Sequence, residues 1–376
     1  MTSPSLLRRH CSIALVAVFM LVGCSNALPT TPGDQSGVDP MALDDNPESL
    51  PDLMQPRIVV GEMTQGVWIP GGRRVAALIR TAGLTCSLDV IDADTRSTTE
   101  VLQGVLCNTE FRWLAVAPDG AALYYLVAND TAAGNESTTM RRVNLANRGI
   151  VDILTIPRAS SGLWSFALSP DGQRLAYGVE QLQPPYGGSG INVHDLTTGS
   201  DTLVVAYGLR VRGWDVRFSP DGTELLFADS SGFRLRRFTI ATGASQFVPE
   251  KLAGTEFEWT PTGVQFVAAT TCMGTCQALT NLTTGQRLGL HGDESALGWS
   301  ADGLHVAGVT SWCTGPGFSC IGRRPEIAVA DWPTHKATVI ARENCSEYPV
   351  PRPVVSPDGS TVIYGTCSGT YIWTRP

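Results

Sequence analysis

The tetrapeptide Ser-Pro-Asp-Gly recurs along this chain, as Ser169-Pro170-Asp171-Gly172, Ser219-Pro220-Asp221-Gly222 and Ser356-Pro357-Asp358-Gly359. Close variants read Ala117-Pro118-Asp119-Gly120, Thr260-Pro261-Thr262-Gly263 and Ser300-Ala301-Asp302-Gly303, and a weaker Ile69-Pro70-Gly71-Gly72 heads the series. Anchors spaced by roughly 40 to 55 residues are the signature of a repeat architecture, with the period of a four-stranded propeller blade. Proline presets φ for the first central turn position, Asp tolerates the second, and Gly accepts the positive φ that closes the hairpin.

Short runs of β-forming residues flank each anchor, such as Leu163 to Leu168 before Pro170 and Arg174 to Gly178 after Gly172. Further along each repeat stands a second turn signal, clearest as Asp195-Leu196-Thr197-Thr198-Gly199, Thr239-Ile240-Ala241-Thr242-Gly243 and Asn281-Leu282-Thr283-Thr284-Gly285. Two hairpins per repeat make one antiparallel four-stranded blade. The last repeat runs out one strand short, while Arg57-Ile58-Val59-Val60 is a strand-like run ahead of the first anchor. Pairing the two would close a ring and remove an exposed edge. The expected fold class is all-β: a seven-bladed β-propeller with a three-plus-one closing blade, six or eight blades being the alternatives. Two separate β-sandwiches would explain neither the even spacing nor the missing strand.

The Ser-Pro-Asp-Gly anchors followed by Asp-Leu-Thr-Thr-Gly resemble the blades of TolB-like, WD-repeat-like β-propellers of bacterial envelope proteins. The resemblance covers nearly the whole expected mature chain. It implies a fold and leaves function open, because such propellers serve as binding platforms, enzyme domains and enzyme gates alike.

The N-terminus reads as a targeting segment. Arg8 and Arg9 precede the apolar stretch from Ile13 to Val22, which is too short to span a bilayer. It ends in Leu21-Val22-Gly23-Cys24, which resembles a lipobox and implies lipidation of Cys24. Residues 24–55 are rich in Pro, Ser and Asp, carry no Lys or Arg, and read as a disordered acidic tether. The expected organisation is therefore a lipoprotein signal peptide at 1–23, the tether at 24–55 and the propeller at 56–376. The expected location is the bacterial cell envelope, lipid-anchored, with Ser25 after the cysteine favouring the outer membrane.

Ten cysteines occur, of which Cys11 falls in the leader and Cys24 at the lipobox. The other eight, Cys86, Cys107, Cys272, Cys276, Cys313, Cys320, Cys345 and Cys367, are disulfide candidates in an exported protein. In the blade scheme all of them fall on the rim opposite the Ser-Pro-Asp-Gly turns. The shortest-range pairing is Cys86–Cys107, Cys272–Cys276, Cys313–Cys320 and Cys345–Cys367, one of about 105 connectivities. A zinc site is the competing reading, but no nearby His completes either close pair.

Catalytic signatures are missing from the sequence: there is no Gly-x-Ser-x-Gly elbow, zinc-protease helix, P-loop or dinucleotide fingerprint. His194, His291, His305 and His335 are scattered over different repeats, and turn chemistry accounts for the repeated aspartates. No cofactor, metal or catalytic residue is assigned. Indoles and acids gather before the innermost strands, where Trp113, Trp164, Trp214, Asp215, Glu256 and Glu258 approach the channel mouth, with Tyr186 in a long loop on the same rim. Such a mouth suits a cationic peptide or a sugar. Tryptophans packed between blades are the structural alternative. The net charge of −8 argues against nucleic acid. The expectation is a monomeric, non-catalytic binding or scaffold propeller for a protein, peptide or glycan partner, the alternative being a channel-mouth hydrolase or lyase.

Overall fold

The computed structural model describes residues 57–58, 61–83, 85–107, 113–129, 137–157, 161–181, 188–205, 215–229, 234–251, 257–259, 266–271, 276–281, 287–291, 297–313, 323–334, 336–342, 352–366 and 369–375. All of them belong to the compact unit Pro40–Pro376. They form seven four-stranded antiparallel sheets, six of them built from consecutive strands. These are blade 1 (63–106), blade 2 (114–157), blade 3 (161–205), blade 4 (216–251), blade 5 (257–291) and blade 6 (297–342). Blade 7 takes its three inner strands from 354–374 and its outer strand from Arg57–Ile58. Arg57 pairs with Tyr371 and Ile58 with Thr370, so the chain closes in three-plus-one fashion. The protein is a seven-bladed β-propeller.

The apolar core lies between neighbouring sheets. Met63, Val75 and Ile91 of blade 1 pack against Val354, Ile363 and Ile372 of blade 7. Leu226, Leu235 and Val248 of blade 4 meet Phe257 and Trp259 of blade 5. Alternation along each strand supplies both faces, because successive side chains point to opposite neighbours.

The repeated turn is held by one hydrogen-bond pattern. In blade 3, Ser169 Oγ donates to Asp171 Oδ1 at 2.5 Å and accepts from the Arg174 amide at 2.8 Å. The Gln173 amide donates to Asp171 Oδ1 at 3.0 Å, and the Gly172 amide donates to the Ser169 carbonyl at 2.8 Å. Gly172 sits at φ +70°, where a Cβ would also lie 2.9 Å from Pro118 of the preceding blade. The same serine-to-aspartate bond recurs at Ser219–Asp221, Ser300–Asp302 and Ser356–Asp358.

The closing seam carries extra ties. Thr370 Oγ1 accepts from the Met63 amide at 3.2 Å and donates to the Gly61 carbonyl at 2.9 Å. Arg73 of blade 1 donates to Thr361 Oγ1 of blade 7 at 2.7 Å. On the opposite rim a disulfide joins Cys86 to Cys107, both fully buried. Closing a loop of sequence separation 21 contributes about 3 kcal/mol on the chain-entropy model. The remaining six propeller cysteines lie outside the described side chains.

A candidate site in the central channel

Aligning the seven innermost strands on their anchors exposes a break in the repeat. Two residues before the anchor stand Val67, Ala115, Ala167, Arg217, Glu258, Gly298 and Val354. Five are small or aliphatic; blades 4 and 5 carry Arg217 and Glu258. Four residues before the anchor, Asp215 and Arg352 add an acid in blade 4 and a cation in blade 7.

The structure links these four side chains. The Arg217 guanidinium donates to both carboxylate oxygens of Asp215 and, at 2.8 Å, to the Val216 carbonyl. Its Nε reaches Glu258 Oε2 at 3.3 Å, and its Cζ lies 5.6 Å from the Phe257 ring centroid. Arg352 Nη2 approaches Asp215 Oδ2 at 3.5 Å. A chain Glu258–Arg217–Asp215–Arg352 thus ties blades 4, 5 and 7. Arg217 and Asp215 are 5 % and 7 % exposed, Arg352 and Glu258 15 % and 19 %. Charges so buried repay their desolvation only as partners, so each depends on the others.

Glu258 and Arg352 both face a channel cavity of about 620 Å³. Its walls include Trp68, Trp259 and Trp299, with Gln65, Val67 and Leu114. At one end it reaches Pro70, Gly71, Ala301 and Pro357, which belong to the turn face. Blades 6 and 7 approach closely at its wall: a Cβ on Gly298 would lie 2.1 Å from the Pro353 carbonyl oxygen. Only glycine fits there. Trp68 and Trp259 are buried among blade-to-blade clusters, whereas Trp299 is half-buried and meets Trp332 edge-on at 5.2 Å.

Of the positions singled out in the sequence, Asp215 and Glu258 come together in this cluster. Trp113 is half-buried against the apolar layer between blades 2 and 3, and its amide donates to Gln65 Oε1 at 2.8 Å. Trp164 stands in the innermost strand of blade 3, its side chain outside the description; Trp214, Glu256 and Tyr186 lie outside the described residues. Arg217 and Arg352 were missed. The signal that finds them is departure from the repeat at a channel-facing level, which a search for acids and indoles passes over.

Other titratable groups among the described residues serve the scaffold. His194 Nδ1 lies 3.1 Å from Asp201 Oδ1, which also accepts from the Tyr177 hydroxyl at 3.0 Å. Among the described residues no group of three His, Cys, Asp or Glu is placed to hold a metal ion. Hydrogen bonds from the turn serines hold Asp171 and Asp221 below the ordinary carboxylate range, and the bond from Ser356 lowers Asp358 to about 2. Burial pushes Asp89 upward, only partly offset by a bond from Ser87, with Glu100 opposite it raising it further.

No protein-family model matches the chain, and no curated protein matches it. Solved structures do. An oligogalacturonate lyase from Vibrio parahaemolyticus aligns at 13% identity with a TM-score of 0.62, over 84% of this chain and 91% of that one. An oligogalacturonate lyase in complex with manganese aligns at 16% identity and a TM-score of 0.61, over 84% and 90%. TolB from Acinetobacter baumannii gives 19% identity over 79% and 75%, with a TM-score of 0.48. Identities this low speak to the fold alone, and for the two lyases that likeness is to a β-propeller along nearly the full length of both chains.

Proposed function

We propose that this chain is a lipid-anchored propeller of the bacterial envelope that binds a protein, peptide or glycan partner through its channel without catalysing a reaction. The observation that carries the reading is the channel cluster. Its two carboxylates are taken up by the guanidinium groups of Arg217 in blade 4 and Arg352 in blade 7, an arrangement that positions charge for recognition and offers no poised proton donor or acceptor. The adjoining cavity of about 620 Å³ falls in the range of ordinary ligand sites. The leader ending at Cys24 and the acidic segment 24–55 support the anchor and tether, with the outer membrane favoured by Ser25.

Two experiments test this. Metabolic labelling with a fatty-acid analogue is expected to mark the full chain and to fail in Cys24→Ala; label retained in that variant contradicts the anchor. Cross-linking in intact cells is expected to capture an envelope partner whose yield drops at least fivefold in Glu258→Gln with the fold intact by circular dichroism. An unchanged yield removes the channel from the interaction, and turnover of an envelope polymer by the purified propeller replaces binding by catalysis.

A further inference from the structure

The cavity is built asymmetrically, and the asymmetry bears on what enters it. Its outer end is formed by Ala301 and Pro357, the residues immediately before Asp302 and Asp358. The Ala301 amide donates to the Pro357 carbonyl at 3.1 Å, which holds these two turns side by side. Both carboxylates are exposed, so the turn-face mouth is flanked by negative charge; Arg73, 3.7 Å from Asp358, offsets part of it. Along the wall lies the half-buried Trp299, and farther in both Glu258 and Arg352 line the cavity beside Gly298, where blades 6 and 7 approach closely.

Resting on the binding reading above, we infer that the channel admits, from the turn face, a peptide segment bearing a lysine or arginine side chain. Each part of the cavity suits one part of such a ligand. The mouth carboxylates raise the local concentration of a cation and repel an anion. The Trp299 face attracts a cation through its ring quadrupole. Glu258 provides a carboxylate at the end of the path, and the Arg352 guanidinium suits a peptide carbonyl oxygen, a donor–acceptor match that a lone amine would not use. The turn aspartates thus serve twice, as hydrogen-bond acceptors within the hairpins and as charge at the mouth.

The test uses the purified propeller with three probes: the hexapeptide Gly-Gly-Lys-Lys-Gly-Gly, the same peptide with glutamate in place of lysine, and the neutral disaccharide maltose. Binding is read by calorimetry and by the indole N–H resonances. The lysine peptide is expected to bind, to shift the Trp299 resonance, and to weaken at least tenfold in Glu258→Gln and in Trp299→Leu. Asp302→Asn with Asp358→Asn keeps the acceptor oxygen each turn needs and is expected to weaken it two- to threefold, with a shallower salt dependence. Absence of lysine-peptide binding overturns the inference, as does equal or tighter binding of the glutamate peptide or the disaccharide. Lysine-peptide binding unaffected by Glu258→Gln and Trp299→Leu also overturns it, since that is attraction to the acidic surface alone. Cross-linking of a partner at channel positions in cells would leave the binding reading standing in any of these cases.

Discussion

The described turns and the channel level two residues before the anchors obey opposite rules. In blades 3, 4, 6 and 7 serine, aspartate and glycine of the turn make the same bonds, and the glycines of these blades and of blade 2 all lie near φ +70°. At the channel level five blades carry a small or aliphatic residue and two carry Arg217 and Glu258. What repeats is scaffold, and what breaks the repeat is particular to one place. The two regions are also held differently: the turn carboxylates by hydroxyl and amide donors at an exposed surface, the channel carboxylates by the buried guanidinium groups of Arg217 in blade 4 and Arg352 in blade 7.

The sharpest way to break the contrast is to remove one member of each. Arg217→Met leaves Asp215 buried beside only Arg352, and chemical denaturation is expected to show a loss of about 3–5 kcal/mol. Gly298→Ala forces a Cβ onto the Pro353 carbonyl and belongs in the same severe class, with a melting temperature at least 5 °C lower expected by calorimetry.

A turn substitution is expected to cost less. Ser356→Ala removes the hydroxyl that both donates to Asp358 and accepts from the Thr361 amide, a loss of about 1–2 kcal/mol by denaturant titration. The acid limb should move with it. The folded pKa of Asp358 is depressed to about 2, so its contribution is present above the ordinary carboxylate range and is lost as pH falls through about 2. In Ser356→Ala the NMR titration midpoint of Asp358 is expected to rise.

Asp89 has the opposite sign. It is 7 % exposed, faces Glu100 across the ladder, and its Oδ1 has no hydrogen-bond partner among the described residues. Its folded pKa is raised, so the stability its proton supplies is full below the unfolded value and is lost as pH rises through the folded one. Asp89→Asn is expected to stabilise the protein by about 1 kcal/mol at neutral pH and to flatten that part of the profile. The smallest effect is expected at the second hairpins. Arg148 sits at φ +56° in the place that Gly199 and Gly243 fill in blades 3 and 4, so Arg148→Gly should gain about 0.5–1 kcal/mol in thermal unfolding.

These contrasts also explain how much was legible. The blades were, because each turn needs a particular residue for a local reason, and seven local reasons at even spacing leave few architectures. Closure by Arg57–Ile58 was legible because an unpaired edge demands a partner. The cluster was only half legible. Asp215 and Glu258 are acids beside indoles and attract notice, but Arg352 lies 137 positions beyond Asp215 and meets it only because blades 4 and 7 face the same channel. Ring closure, which no local pattern states, makes that contact. The cavity reaching the turn face is equally a product of assembly, since prolines of hairpins read as surface punctuation until the inner strands are set around an axis.

The account turns on the claim that the partner site lies in the channel, where the repeat breaks. The most direct measurement is site-specific photocross-linking in intact cells, with a benzophenone side chain in place of Trp299 in the channel or of Val151, 54 % exposed on the outer strand of blade 2. Covalent capture of an envelope component from position 299 and none from 151 is the predicted result. Capture from 151 and none from 299 would contradict the account and move the interaction to the outer circumference of the ring.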